Sequence, residues 1–200
     1  IAILRELERE VAFEPADDRL RNEVAHQLID AYRAAKRTAE AMAEADRLLA
    51  RQQSALGPTH PLVQRTQSLR VTLLTRVNRY DDALALAEQL VEEVGRAYGR
   101  SGTRYANALM TLGMAQTNSK QYERALITTR AAVDAWRSTL GPNHYRTLRA
   151  QLNLAGLMYA ASSTRKEAVA LLTETLRGAE AQLGPADSLT VYFRQVLGSW

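Results

Sequence analysis

The segment Leu140-Gly141-Pro142-Asn143-His144, with Tyr122-Glu123-Arg124-Ala125 upstream of it, is the clearest copy of a pattern that runs through the chain. Gly-Pro is a helix stop: Gly supplies a left-handed residue just past the helix end, and Pro cannot continue the helix. The turn recurs as Leu56-Gly57-Pro58-Thr59-His60, as Tyr98-Gly99-Arg100-Ser101-Gly102 and as Leu183-Gly184-Pro185-Ala186-Asp187. Its glycines stand 42, 42 and 43 residues apart. A second pattern runs in step between the turns: Tyr80-x-x-Ala83, Tyr122-x-x-Ala125 and Arg165-x-x-Ala168, with Ala41 one period earlier. A fixed period of this length is the signature of a repeat architecture.

Each period reads as two helices. Leu109, Leu112 and Gln116 follow helical spacing, then Ala125, Thr129 and Ala132 do so again. Strand-like alternation is missing. The pattern predicts a partial helix at about 1–13, pairs at about 16–35 with 38–55, 59–77 with 80–97, 102–118 with 122–139 and 144–161 with 165–182, and a last helix at about 186–198. Thr59, Ser101, Asn143 and Asp187 supply N-cap chemistry. Ala41, Ala83, Ala125 and Ala168 recur where paired helices would approach closely, with Gly113 and Ala155 on the facing helices. Small against small is how two helices cross at short range. One such pair cannot bury its apolar face alone, so neighbours must share a core. The expected fold is an all-α superhelix of antiparallel pairs, about nine helices. It forms a single repeat domain over 1–200, with units at 15–56, 57–98, 99–140 and 141–183 and partial units at 1–14 and 184–200. Ile1 rather than Met, and the phase of the first and last helices, suggest a piece of a longer protein.

These residues resemble a known family. Leu-Gly-Pro-x-His, Tyr-x-x-Ala and Asn153-Leu154-Ala155-Gly156-Leu157-Met158-Tyr159 are similar to tetratricopeptide repeats of the 42-residue kinesin light chain type, over residues 15–200. The outer units are degenerate, and Gly99 is followed by Arg100 rather than Pro. The resemblance implies a protein-interaction surface in which the first helix of each pair lines a concave groove and the second lies outside.

Composition excludes several classes. There is no Cys in the 200 residues, hence no disulfide, thiolate zinc site or cysteine nucleophile. No apolar run approaches the length of a membrane span. No phosphate-binding glycine loop, nucleophile elbow or paired-histidine metal motif occurs, so no enzyme, cofactor or metal is expected. His60 and His144 share one turn position in two repeats, which repeat geometry explains better than catalysis. Of 26 basic residues only Lys36, Lys120 and Lys166 are Lys; with abundant Ala this bias suggests a GC-rich, bacterial genome. A cytoplasmic location is expected.

Charge is sorted within each period. Residues 57–80, 99–122 and 141–165 hold ten basic residues and no acid: Arg65, Arg70, Arg76, Arg79, Arg100, Arg104, Lys120, Arg146, Arg149 and Arg165. The second halves hold ten acids: Asp81, Asp82, Glu88, Glu92, Glu93, Glu123, Asp134, Glu167, Glu174 and Glu180. Carrying the family's groove positions over by counting back from each alanine gives a candidate peptide-binding groove. Its principal residues are Arg65, Thr72, Arg76, Asn107, Met110, Met114, Asn118, Arg149, Asn153 and Tyr159, flanked by Ser68, Thr75, Thr117 and Leu152. Arg forks onto carboxylate or phosphate, and Asn bonds a peptide backbone through donor and acceptor together. Met and Tyr supply an adaptable apolar floor.

The expected function is a non-enzymatic scaffold that binds an extended acidic peptide or partner protein, as part of a bacterial signalling protein. One alternative is a ligand-sensing regulatory domain of a kinase, a switch ATPase or a transcription regulator. Another is an RNA-binding helical repeat; scarce Lys and 6% aromatic residues argue against it. A plainer reading has the basic inner helices simply balanced by the acidic outer ones. Apolar Phe193, Val196, Leu197 and Trp200 on the last helix suggest further repeats or end-to-end self-association.

Overall fold

The computed structural model describes residues 1–13 and 19–200. Among these there are ten α-helices, two single 3-10 turns and no strand. The helices are α1 (Ala2–Glu10), α2 (Arg19–Ala34), α3 (Thr38–Leu56), α4 (Pro61–Arg76), α5 (Tyr80–Tyr98), α6 (Gly102–Asn118), α7 (Tyr122–Leu140), α8 (Tyr145–Ala160), α9 (Arg165–Leu183) and α10 (Ser188–Gly198). All ten predicted helical stretches are present, one more than the expected total of about nine, and the four expected pairs are α2–α3, α4–α5, α6–α7 and α8–α9. The predicted start of the first pair, residue 16, lies outside the described residues. The chain forms two compact units, residues 1–97 and 98–200.

The turns end and restart helices by local chemistry. Gly57, Gly141 and Gly184 follow α3, α7 and α9 with φ of 81°, 90° and 92°, where a side chain would be strained. The next helix is capped one residue later than the sequence suggested. His60 and His144, not Thr59 and Asn143, are the N-caps of α4 and α8. The Leu62 N–H donates to His60 Nδ1 at 3.3 Å, and the Arg146 N–H donates to His144 Nδ1 at 3.2 Å. A neutral imidazole nitrogen thus performs the task expected of a hydroxyl or carboxamide. Pro61 at the first turn of α4 sacrifices no bond, because that N–H has no partner within a helix. Asp187 caps α10 as expected, accepting from the Leu189 N–H at 2.9 Å. Ser101 is the N-cap residue of α6 but makes no side-chain cap bond.

Within three of the four pairs a tighter turn recurs; α8 and α9 are joined through the 3-10 turn Ser162–Thr164 instead. Lys36, Asn78 and Lys120 all adopt positive φ, near 60°, 42 residues apart. Each sits past a helix end closed by two reversed bonds; at the third, Gln121 N–H donates to Gln116 O at 2.8 Å and Lys120 N–H to Thr117 O at 3.0 Å. This closure usually employs Gly.

Ala41, Ala83, Ala125 and Ala168 are all buried, at 0–1% exposure, so the repeat register is that of the alanines. The partner of Gly113 lies one turn beyond Ala125: a methyl on Gly113 would come within 2.6 Å of Thr129 Oγ1. In the first unit Ala25, Leu28, Ile29 and Tyr32 of α2 pack with Ala41, Ala45 and Leu48 of α3 and Leu73 of α4. In the second, α6 to α9 share a core containing Ala106, Val133, Trp136, Ala150, Leu154 and Met158. On α10 Phe193 is fully buried, Val196 and Leu197 are partly buried against the cluster of Leu172 and Ala179, the Trp200 ring stacks on Tyr159 at 4.2 Å, and Tyr192 is exposed.

One interior position differs in kind between repeats. Residues 52, 94, 136 and 179 are equivalent in period and are Gln, Val, Trp and Ala. Gln52 donates to Asn22 Oδ1 at 2.6 Å and accepts from Thr66 Oγ1 at 2.7 Å, joining α2, α3 and α4 through a buried polar relay. Trp136 packs instead with Ala106 and Ala150, which stand two periods after Asn22 and Thr66.

Two outcomes follow from this packing. Ala125→Arg forces a charge between touching helices and is expected to lower unfolding free energy by at least about 3 kcal/mol in urea titration. Lys120→Gly relieves left-handed strain of about 1 kcal/mol while loosening the unfolded chain by roughly half that, so a gain of about 0.5 kcal/mol is expected. Asn78→Gly should gain less, because Asn tolerates the left-handed region better than Lys.

Candidate functional site

The acid-free halves of the sequence are α4, α6, α8 and their flanking turns, and the ten acids lie on α5, α7 and α9. Some charges on the two kinds of helix neutralise one another. Arg70 of α4 meets Asp46 of α3 at 2.6 Å, and Arg79 meets Asp82 at 2.7 Å. Outer carboxylates also serve packing: Glu93 accepts from Gln67 Nε2 of α4 at 3.1 Å. Arg65, Arg76 and Arg146 are exposed and form no ion pair among the described residues.

In the second unit, four of the ten groove candidates line one cavity of about 430 Å³. Asn107 and Met110 come from α6, one turn apart, and Arg149 and Asn153 come from α8, again one turn apart. Four further residues, absent from the sequence-based groove set, complete it: Trp136 of α7, Tyr145 and Arg146 at the start of α8, and Ala150 of α8. The Arg149 guanidinium lies over the Tyr145 ring, 5.7 Å from its centre, which fixes the cation without neutralising it. The lining holds two arginines and no carboxylate. Its periodicity could have flagged Tyr145 and Arg146, which lie in an acid-free half. Trp136 gave no such signal, since it belongs to the second helix of its pair.

The remaining candidates are engaged differently. Met114 is exposed on α6, one turn beyond Met110. Asn118 donates its amide to Met114 O at 2.8 Å, so that donor is spent on its own helix. Thr72, Thr75 and Thr117 likewise return their hydroxyl protons to the carbonyls of Ser68, Val71 and Gly113. Tyr159 is covered by Trp200 and donates its hydroxyl to Trp200 O at 2.7 Å, while Arg165 sits over the same ring at 5.2 Å.

In the first unit Arg65 of α4 influences two α2 groups, Glu23 and His26. His26 is 5% exposed, and its Nε2 has no hydrogen-bond partner. Burial, reinforced by the Arg65 charge, pushes its pKa from 6.5 down to about 4, against weaker opposing pull from Glu23 and Asp30. Glu44 of α3 is buried too; desolvation and the neighbouring Glu8 push its pKa upward, opposed by Arg47. Among the described residues no cluster of three or more His, Asp or Glu is placed to hold a metal ion. No described helix is long and apolar enough to cross a membrane.

Repeated antiparallel helix pairs, in-phase small residues at the pair contact and a polar cavity between successive first helices define a helical-repeat interaction scaffold. The chain belongs to the tetratricopeptide repeat family, whose models match residues 30–62 and 104–181. Its fold is that of kinesin-light-chain-type repeats. It is similar to the nearly identical TPR-like repeats of a kinesin-light-chain-like protein from Podosopora anserina, at 21% identity and a TM-score of 0.74, covering 94% of this chain and 86% of that one. BtubC (BKLC) from P. vanneervenii is similar at 17% identity and a TM-score of 0.72, over 90% and 73% of the two chains. So is a Rap protein solved with competence and sporulation factor, at 16% identity and a TM-score of 0.72, over 98% of this chain and 57% of that one. No curated protein matches the sequence closely enough to show kinship.

The buried His26 gives the fold a defined acid sensitivity. The unfolded chain takes up a proton near pH 6.5 and the folded chain only near pH 4, so stability falls as pH drops through that window. Between pH 7.5 and 5.0 the loss from this group is about 2 kcal/mol. His26→Gln should flatten that part of the profile in urea titrations at the two pH values.

Proposed function

We propose that the first helices bind an extended acidic segment of a partner protein, each unit through its own contacts: Arg65 and Arg76 of α4 in the first, and Asn107, Arg149 and Asn153 of α6 and α8 in the second. The supporting observation is the cavity between α6 and α8, where two amides and two arginines converge with no carboxylate among them. Arginine side chains not consumed by internal ion pairs attract acceptor-rich ligands, and asparagine amides register a peptide backbone. A role within a signalling protein, read alongside a cytoplasmic location, belongs to the same proposal. The likeness in fold to a Rap protein complexed with competence and sporulation factor supports a peptide or protein ligand over a substrate.

The test uses three fluorescein-labelled probes in anisotropy titrations: a decapeptide alternating Glu and Ser, its Lys and Ser counterpart, and a ten-nucleotide oligouridylate. The acidic decapeptide is expected to bind best and to weaken about tenfold between 50 and 300 mM salt. Arg76→Glu with Arg149→Glu should reduce its affinity at least about tenfold, whereas Glu88→Lys with Glu92→Lys on α5 should not weaken it. Preference for the oligouridylate, or loss of binding only in the α5 variant, overturns the reading.

A further inference from the structure

We infer that α1 is a proton-operated strap: one hydrogen ion shared between Glu8 of α1 and Glu44 of α3 clasps the helix to the first unit, and its loss lets α1 go. Apolar burial does not hold α1 in place. None of its nine residues is buried, and Ile3 and Leu7 are 75% and 36% exposed. Leu4 packs, partly buried, against the cluster of Ala25, Leu28, Ile29 and Tyr32. A helix of this length does not persist in water on its own propensity, so its contacts decide whether it stays. Those contacts are largely polar. Arg5 Nε donates to the Tyr32 hydroxyl oxygen at 2.6 Å, and the same guanidinium lies 5.6 Å from the centre of that ring. One turn along α1, the Glu8 carboxyl group comes within hydrogen-bonding reach of the Glu44 carboxyl group.

Two carboxyl groups in contact repel when both are ionised, and neither can then donate to the other. Glu44 is 2% exposed, so a charge there is poorly solvated. Burial raises its pKa, Glu8 raises it further, and the largely exposed Arg47 that pairs with it opposes both. The other groups facing the pair are Arg5 of α1 and Arg51 of α3. From α2 come Tyr32, bonded to Arg5, and Arg21, beside Arg51. Uptake of one proton turns the carboxyl contact from repulsive to bonding, because the protonated oxygen donates to the ionised one in a strong, charge-assisted bond. That proton belongs to the pair rather than to either residue. With α1 released, Glu8 stands in water and Glu44 loses its neighbour, so the proton leaves more readily. The docked state therefore holds the proton to higher pH, and docking is strongest in acid and weakens as pH rises. His26 works in the opposite direction, since its buried neutral ring makes the fold less stable on acidification. Release of α1 bares the side of the first core that Leu4 covers and the Tyr32 hydroxyl that Arg5 holds.

Amide hydrogen exchange in the full chain, followed by mass spectrometry at pH 5.0, 6.5 and 8.0 and corrected for the intrinsic pH dependence of exchange, reads the strap directly. The quantity compared is the protection of α1 relative to α3, which a change in the stability of the whole unit moves far less than a local release does. In the unmodified chain this ratio is expected to be at least about fivefold larger at pH 5.0 than at pH 8.0. Glu8→Gln supplies a permanent donor to the ionised Glu44, so its ratio should stay high and flat across the three pH values. Glu8→Ala removes the clasp and should give a low, flat ratio. His26→Gln should leave the pH dependence of the ratio intact. An unmodified chain with the same ratio at every pH, or with a ratio that rises with pH, overturns the strap. So does a pH dependence that survives in Glu8→Gln, and so does a Glu8→Gln chain whose α1 is unprotected throughout.

Discussion

Alanine at the crossing of paired helices is the constraint on which the rest of this structure depends. Ala41, Ala83, Ala125 and Ala168 are buried to 1% exposure or less, so the second helix of each pair carries only a methyl at this interior position. A methyl there lets neighbouring helices approach closely, which bears on which side chains of the first helices meet solvent. Asn107, Arg149 and Asn153 are presented outward because the opposite faces of α6 and α8 carry Ala106, Leu109, Ala150 and Leu154 inward. The left-handed turns at Lys36, Asn78 and Lys120 serve the same geometry, since each lies in a link of three residues between two helices.

The charge layering has two physical roles that the structure separates residue by residue. Arg70 and Arg79 are neutralised by Asp46 and Asp82, and Glu93 is tied to Gln67, so part of the pattern is internal balance between helices. Such exposed pairs contribute little to stability, on the order of 0–1 kcal/mol. Arg65, Arg76 and Arg146 lie outside that balance, and they, with Arg149 held over Tyr145, give the first helices their uncompensated positive potential.

The period and the pair contacts were legible in the sequence because they are local and repeated: Gly-Pro stops, in-phase alanines, and the absence of alternation. The caps were displaced by one residue, from Thr59 and Asn143 to His60 and His144, because an imidazole nitrogen substitutes for a hydroxyl oxygen and propensity rules weigh His lightly. Of the groove, the charged and amide positions on α6 and α8 could be read from spacing. What spacing could not supply was occupancy of each side chain's own hydrogen bonds. Asn118 and Thr72 sit at suitable positions but each directs a donor to a carbonyl of its own helix, and Tyr159 is covered by a residue 41 positions away in sequence. Trp136 escaped because its repeat equivalents are Gln, Val and Ala, so no pattern pointed to it.

The relay of Gln52 with Asn22 and Thr66 bears on how such a chain can change by recombination. Loss of one 42-residue period, residues 57–98, would splice α3 onto α6 in good helical register. The surface would notice little. The interior would bring Ala108 to the place of Thr66, and the Gln52 carbonyl would lose its donor. An unpaired buried carbonyl of this kind costs about 1–3 kcal/mol. The repeats are thus alike in outline but not freely exchangeable: the Gln52 position carries a polar key cut for the Thr66 of its own successor, which disfavours the unequal exchange to which repetitive coding sequence is otherwise prone.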